Sequence, residues 1–146
     1  MRLHCSVIIA FTIAYFSGGA WAAPELQVKF HMGIGNGSTQ QVGGSLVNIG
    51  DSPIAQGYLV VTPIAIQCHP KASILYPFGL LAAGEERQFS VPVAEGFSSY
   101  RLQMGAFDQQ GFAVTAKDAN QAILDGRIGE EREKCAAARD AELIKD

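Results

Sequence analysis

The stretch Tyr100–Gly111, YRLQMGAFDQQG, constrains the fold more than any other part of this chain. Tyr100, Leu102, Met104 and Ala106 alternate with Arg101, Gln103 and Gly105, the period-two pattern of a strand with one face in a core. Asp108-Gln109-Gln110-Gly111 supplies turn residues and Phe112-Ala113-Val114-Thr115 opens a second apolar run. The segment therefore reads as strand, tight turn and returning strand. Similar segments recur upstream. Glu25–Ile34 sets Leu26, Val28, Phe30 and Met32 on one face and Gln27, Lys29 and His31 on a wet one. Gly44–Ile49, Ile54–Cys68, Ile74–Leu81 and Arg87–Val93 follow, with turns at Gly50-Asp51-Ser52-Pro53 and Ala83-Gly84-Glu85-Glu86. Pro63 lacks an N–H and marks an edge, bend or bulge in the third strand. Seven short strands over 25–118, at intervals of about ten residues, predict an all-β sandwich of two sheets.

The ends of the chain differ from this middle. Residues 1–22 read as a signal peptide: Arg2 and His4 precede the apolar run Val7–Phe16, and Ala20-Trp21-Ala22 forms an A-x-A cleavage site. That run is short for a membrane span, so the cleaved chain is expected to be exported, to the medium or the periplasm. Residues 119–146 carry 12 charged residues in 28, against 12 in 96 for residues 23–118. Ala137, Ala138, Glu130, Glu131, Arg132 and Lys134 favour a helical tail, started by Asp118 or Asn120 and weakened by Gly126 and Gly129. Two cysteines survive cleavage, Cys68 and Cys135, and in an exported protein they read as a disulfide, within one chain or between two.

Composition narrows the function. The cleaved chain holds 10 Lys and Arg against 14 Asp and Glu and has no basic patch, which argues against nucleic acid. It has no cationic amphipathic stretch for a membrane surface. The glycine run Gly33–Ser38 follows a strand and precedes another strand, so it reads as a turn and not as a phosphate loop. His31, on the wet face of the first strand, and His69, in a turn, read as solvated side chains. Cys68-His69 has no second ligand pair at metal spacing, and Glu85-Glu86 and Glu130-Glu131 point apart. No catalytic, cofactor or metal site is expected, and the chain reads as a non-enzymatic binding protein. Its loops should carry recognition on a rigid core. One end of the sandwich should gather Ile49–Pro53 and Asp108–Gly111, the other Gly35–Gln40, His69–Ser73 and Ala94–Ser98. The candidate partner-binding residues are Asp51, Phe97, Asp108, Gln109, Gln110 and Phe112, with Tyr76 and Phe78 as further aromatic anchors or core.

Two segments carry a family resemblance. Y-x-L-x-M-x-A-F-D-x-x-G from Tyr100 resembles the sixth strand and following loop of fibronectin type III domains, and I-A-Q-G-Y-L-V from Ile54 resembles their third strand. Leu80–Val93 is similar to the region before the tyrosine strand. The resemblance implies a fibronectin type III or immunoglobulin-like sandwich in which the Tyr100 hydroxyl reaches a backbone group. With the signal peptide, the single cysteine pair and the charged tail, the whole chain resembles the interleukin receptor mimics, small secreted virulence factors of Gram-negative bacteria. That likeness implies host helical cytokines, the interleukins, as partners. The chain lacks the W-S-x-W-S motif, second domain and core Trp of host receptors, so no receptor contact residue carries over. The rival expectation is a pilus-type subunit or accessory protein that binds by strand addition at Ile74–Leu81. A homodimer by strand exchange about His69-Pro70 is a further expectation.

Overall fold

The computed structural model describes residues 23–36 and 39–144; the expected signal peptide lies outside the described residues. Seven strands and one helix follow in order: β1 Glu25–Asn36, β2 Thr39–Asn48, β3 Gln56–Ala65, β4 Ile74–Phe78, β5 Glu86–Val93, β6 Phe97–Phe107, β7 Thr115–Asp118 and α1 Gln121–Leu143. They form a β-sandwich of two sheets, ordered β5-β2-β1-β7 and β4-β3-β6, with a helical tail. The core lies between the sheets. Leu26, Val28, Val42, Leu46, Ile54, Leu59, Val61 and Leu81 are fully buried, each contributing about 1.5–3 kcal/mol relative to exposure. β3, β5 and β6 turn alternate residues inward as their sequences require; along β5 these are Phe89, Val91 and Val93.

Pro63 sits on β3 opposite Tyr100, and β4 pairs with β3 only over Gly57–Val61. The missing donor therefore falls beyond the reach of β4 and next to a register shift at Ile64 and Ala65. β3 also ends earlier than its apolar run, at a turn in which Cys68 takes φ +65° and donates its N–H to the Ala65 carbonyl.

β1 departs from the expected alternation. A bulge between Val28 and Phe30 shifts its pairing with β2 by one residue, and one extra residue exchanges the faces of everything after it. Leu26 and Val28 point into the core as expected. Beyond the bulge Phe30, Met32 and Ile34 are exposed, and His31 turns inward. Gly44 permits this crossing: a Cβ there would collide with the Phe30 carbonyl and crowd the Phe89 ring. Gly33 and Gly35 belong to β1 itself and are not turn residues, because β1 runs on to Asn36.

The returning strand after Tyr100–Phe107 is also corrected. The turn forms, but only Phe107 and Ala113 bridge across it, with Val114 N–H donating to the Ala106 carbonyl. β7 then leaves for the other sheet and runs parallel to β1, Glu25–Val28 opposite Thr115–Asp118. α1 follows after Asn120, whose side chain does not cap it. None of its residues is buried, and Gly126 and Gly129 face open space. Its anchor is an intrachain disulfide, Cys68–Cys135, with Cα atoms 5.5 Å apart.

Candidate functional site

A single buried amide fixes three of the segments gathered at one end of the sandwich. Asn48, at the end of β2, is fully buried. Its Oδ1 accepts from the Glu25 and Gly50 N–H groups at 3.3 and 3.1 Å. Its Nδ2 donates to the Ser52 and Leu81 carbonyls at 2.8 and 3.1 Å. Its backbone N–H donates to the Glu85 carbonyl, and its own carbonyl accepts from Gly84 N–H. One side chain thus joins the start of β1, the β2–β3 loop and the β4–β5 connection, with every hydrogen-bonding position used. In sequence Asn48 is only one residue of the strand Gly44–Ile49 and is not singled out.

Asp51 stands on this platform, and Asp108, Gln109 and Gln110 stand on the adjoining β6–β7 turn. Asp51 accepts the Ala23 N–H at 2.6 Å and borders a shallow hollow with Ala23, Ile49 and Gly50. Asp108, Gln109 and Gln110 line an adjacent open depression with Pro24, Ser52 and Pro53. Asp108 Oδ1 accepts from the N–H groups of both Gln110 and Phe112 at 2.9 Å, and Gly111 takes φ +86°, so the turn is braced from inside. That bracing holds Phe112 outward at 70% exposure. Ile49 and Leu80 are also exposed on loops fastened through Asn48. Near them the Glu85 carboxylate accepts the Ala82 N–H and pairs with Arg87, and these bonds hold its pKa below the usual carboxylate range.

Phe97 lies elsewhere. It opens β6 at the opposite end, half-buried against Tyr100 and close over Gly33. Tyr76 is half-buried against Phe89, and Phe78 is buried in the core. Of the candidate residues, the structure brings together Asp51, Asp108, Gln109, Gln110 and Phe112, and separates Phe97 from them.

A second polar cluster escaped the sequence reading. His31, turned inward by the bulge, sits between Tyr100 Oη on Nδ1 and Asp118 Oδ2 on Nε2, each at 2.7 Å. The His31 and Asp118 side chains are 7% and 4% exposed. One tautomer satisfies both contacts, with the Tyr100 O–H donating to Nδ1 and Nε2–H donating to Asp118. Asp118 Oδ1 also accepts the Asn120 N–H at 2.8 Å. The Tyr100 hydroxyl therefore bonds a side chain and not the expected backbone group. Hydroxyl, imidazole and carboxylate stand in the order that activates a nucleophile. Burial, and then the charge of Asp118, instead push the Tyr100 phenol up to about 12, which keeps its proton in place. The cluster acts as a clasp joining β1, β6 and the end of β7. His69 is exposed, 3.7 Å from Glu142 of α1.

No protein-family model matches the chain, and no curated protein sequence does. Among solved structures, IrmA from Escherichia coli is similar at a TM-score of 0.45 and 6% identity, over 68% of this chain and 92% of that one. So distant a likeness speaks to neither ligand nor activity. The sandwich itself is established by the two sheets and their register.

Proposed function

We propose that the chain is an exported, non-enzymatic binding protein of the interleukin-receptor-mimic type, which engages a helical cytokine through the 49–53 and 108–112 loops. The observation that supports this reading is Phe112, a large aromatic held in solvent by a turn braced through the Asp108 carboxylate, next to the 49–53 loop that Asn48 fixes. An exposed aromatic on a rigid support loses little conformational entropy when a partner buries it. Asp51 and Asp108 would steer the basic side chains of a cytokine helix. The disulfide and the absence of any described helix long and apolar enough to cross a membrane are compatible with export.

The test is direct binding of oxidised residues 23–146 to a panel of helical cytokines at physiological salt. Saturable binding is expected, weakened about tenfold or more by Phe112→Ala, which removes about 1.4 kcal/mol or more of interface energy. Phe97→Ala, at the far end, should leave affinity unchanged. Failure of every cytokine to bind the folded, oxidised protein would sink the reading. So would recovery of the protein only from the periplasm and never from the medium.

A further inference from the structure

The edges of this sandwich are not alike. β4 has five residues and contains Pro77, β5 carries Glu86, Arg87 and Pro92, β6 carries Arg101, and the four residues of β7 include Lys117 and Asp118. Shortness, charge and proline are the devices by which sheets discourage an added strand. Ile74–Leu81, the edge expected from sequence to accept one, is therefore among the guarded edges. The exception is the second half of β1. β7 pairs with β1 only over Glu25–Val28, after which the Ala119 N–H donates to the Val28 carbonyl and the Asn120 side chain reaches the Lys29 carbonyl. Beyond that point Phe30–Asn36 pairs with β2 on one side and, among the described residues, with no strand on the other. Its sequence, FHMGIGN, holds no Asp, Glu, Lys, Arg or Pro. Its outward row of Phe30, Met32 and Ile34 is 51%, 46% and 43% exposed.

We infer that Phe30–Asn36 is a docking edge for an extended, uncharged strand of about six residues supplied by a partner protein, laid along β1 in continuation of β7. Free main-chain N–H and C=O groups in a pleated row are satisfied by a strand, not by a helix. The line is already begun by β7, which occupies the same side of β1 for four residues before the chain turns away into α1. Outward positions of the incoming strand would lie beside Phe30, Met32 and Ile34, which favours β-branched or apolar residues there. Inward positions would cross toward the Phe97 and Tyr100 rings, which flank Gly33.

A second copy of this chain fits the edge less well. α1 starts beside Lys29 and is tied by Cys135 to the β3–β4 turn, near the meeting of Gly33 and Phe97, so it runs from one end of this edge toward the other. Two such edges brought face to face would bring two helices together, whereas a lone strand meets one. The inference is independent of the cytokine reading, whose contacts lie in loops at the far end of β1.

The experiment uses oxidised residues 23–146 and a fluorescein-labelled seven-residue peptide of alternating valine and threonine, with a central-proline version as control. Saturable binding by anisotropy is expected, about tenfold weaker or worse for the proline peptide. Met32→Lys, a change at an exposed position, should weaken binding to the same degree, while Leu75→Lys on β4 should not. Hydrogen exchange should show protection of the 30–36 amides on binding. Absence of binding, binding untouched by Met32→Lys, or protection falling on β4 or β5 would overturn the inference. So would protection of 30–36 without peptide at a dimeric mass, which would give the edge to a second copy.

Discussion

Replacing Asn48 should unfasten three segments at once, and the structure sets the scale. Asn48→Ala removes four hydrogen bonds and leaves the Glu25 and Gly50 donors and the Ser52 and Leu81 acceptors without this partner. The Leu81 contact is buried, but its carbonyl keeps the Ile54 N–H, so the loss costs about 1.5 kcal/mol and not the full penalty of an orphaned acceptor. The other three are partly buried and can recover water, at about 0.5 kcal/mol each. The sum is about 3 kcal/mol, a large share of a domain's total stability. Asn48→Asp is closer in shape yet should be worse at neutral pH. It keeps the acceptor but sets a carboxylate against two carbonyl oxygens, adding about 1–2 kcal/mol. Those carbonyls disfavour the charged form in the folded protein and so raise the folded pKa of the introduced carboxyl above its unfolded value. The variant's relative stability is then greatest at acid pH, where the carboxyl is protonated and can donate, and falls as pH rises through the unfolded value of about 3.9. Urea denaturation followed by far-ultraviolet circular dichroism at pH 7 and pH 3.5 measures both changes, each against the unsubstituted protein at the same pH. An alanine variant within 1 kcal/mol of the parent, or an aspartate variant as stable as alanine at pH 7, would refute the reasoning.

Tyr100 should ionise near pH 12, above the ordinary tyrosine value of about 10, in a spectrophotometric titration of the folded protein. Its folded value is raised, so its contribution is complete below the unfolded value of about 10 and is lost as pH rises toward 12. After discounting for partial exposure the loss is about 1 kcal/mol. Asp118→Asn should bring the titration down toward the ordinary range, and an unmoved curve would count against the charge effect. Reduction of Cys68–Cys135 should cost the sandwich far less than the roughly 4 kcal/mol that loop entropy assigns to a bridge of this span. Because α1 buries nothing, the released tail regains its freedom in the native state as well as the unfolded one. The helical dichroism at 222 nm should fall on reduction while the urea midpoint of the sheets barely moves; a midpoint loss matching the full entropy would show that α1 is packed.

Much of the fold was legible because period two survives wherever a strand is regular. Tyr100–Ala106 and Arg87–Val93 read correctly, and the change of composition after Asp118 located the helix. The path of β7 was not legible, since a turn after β6 implies a return beside β6, and only tertiary pairing sends Thr115–Asp118 to β1. The loop end beside Asn48 was half legible: turn chemistry exposed Asp51 and Asp108–Gln110, while Asn48, a single amide before a glycine turn, gave no signal of its own.

The face of β1 was misread for a deeper reason. Alternation states that two faces differ, and apolarity then assigns the row Leu26, Val28, Phe30, Met32 to the core. A bulge at Lys29 leaves that row intact in the sequence and reverses its meaning after Val28. The one local sign was Gly43-Gly44 on the partner strand, where backbone approaches too closely for a side chain at Gly44. The same inserted residue does two things. It delivers His31 into reach of Tyr100 and Asp118, closing the clasp that holds the end of β7 on β1. It also turns Phe30, Met32 and Ile34 outward beside a backbone edge that, among the described residues, no strand covers. Clasp and exposed edge are therefore coupled by parity: a change that moves His31 back to solvent must return the apolar row to the core, and neither feature can be altered alone by shifting the register of β1.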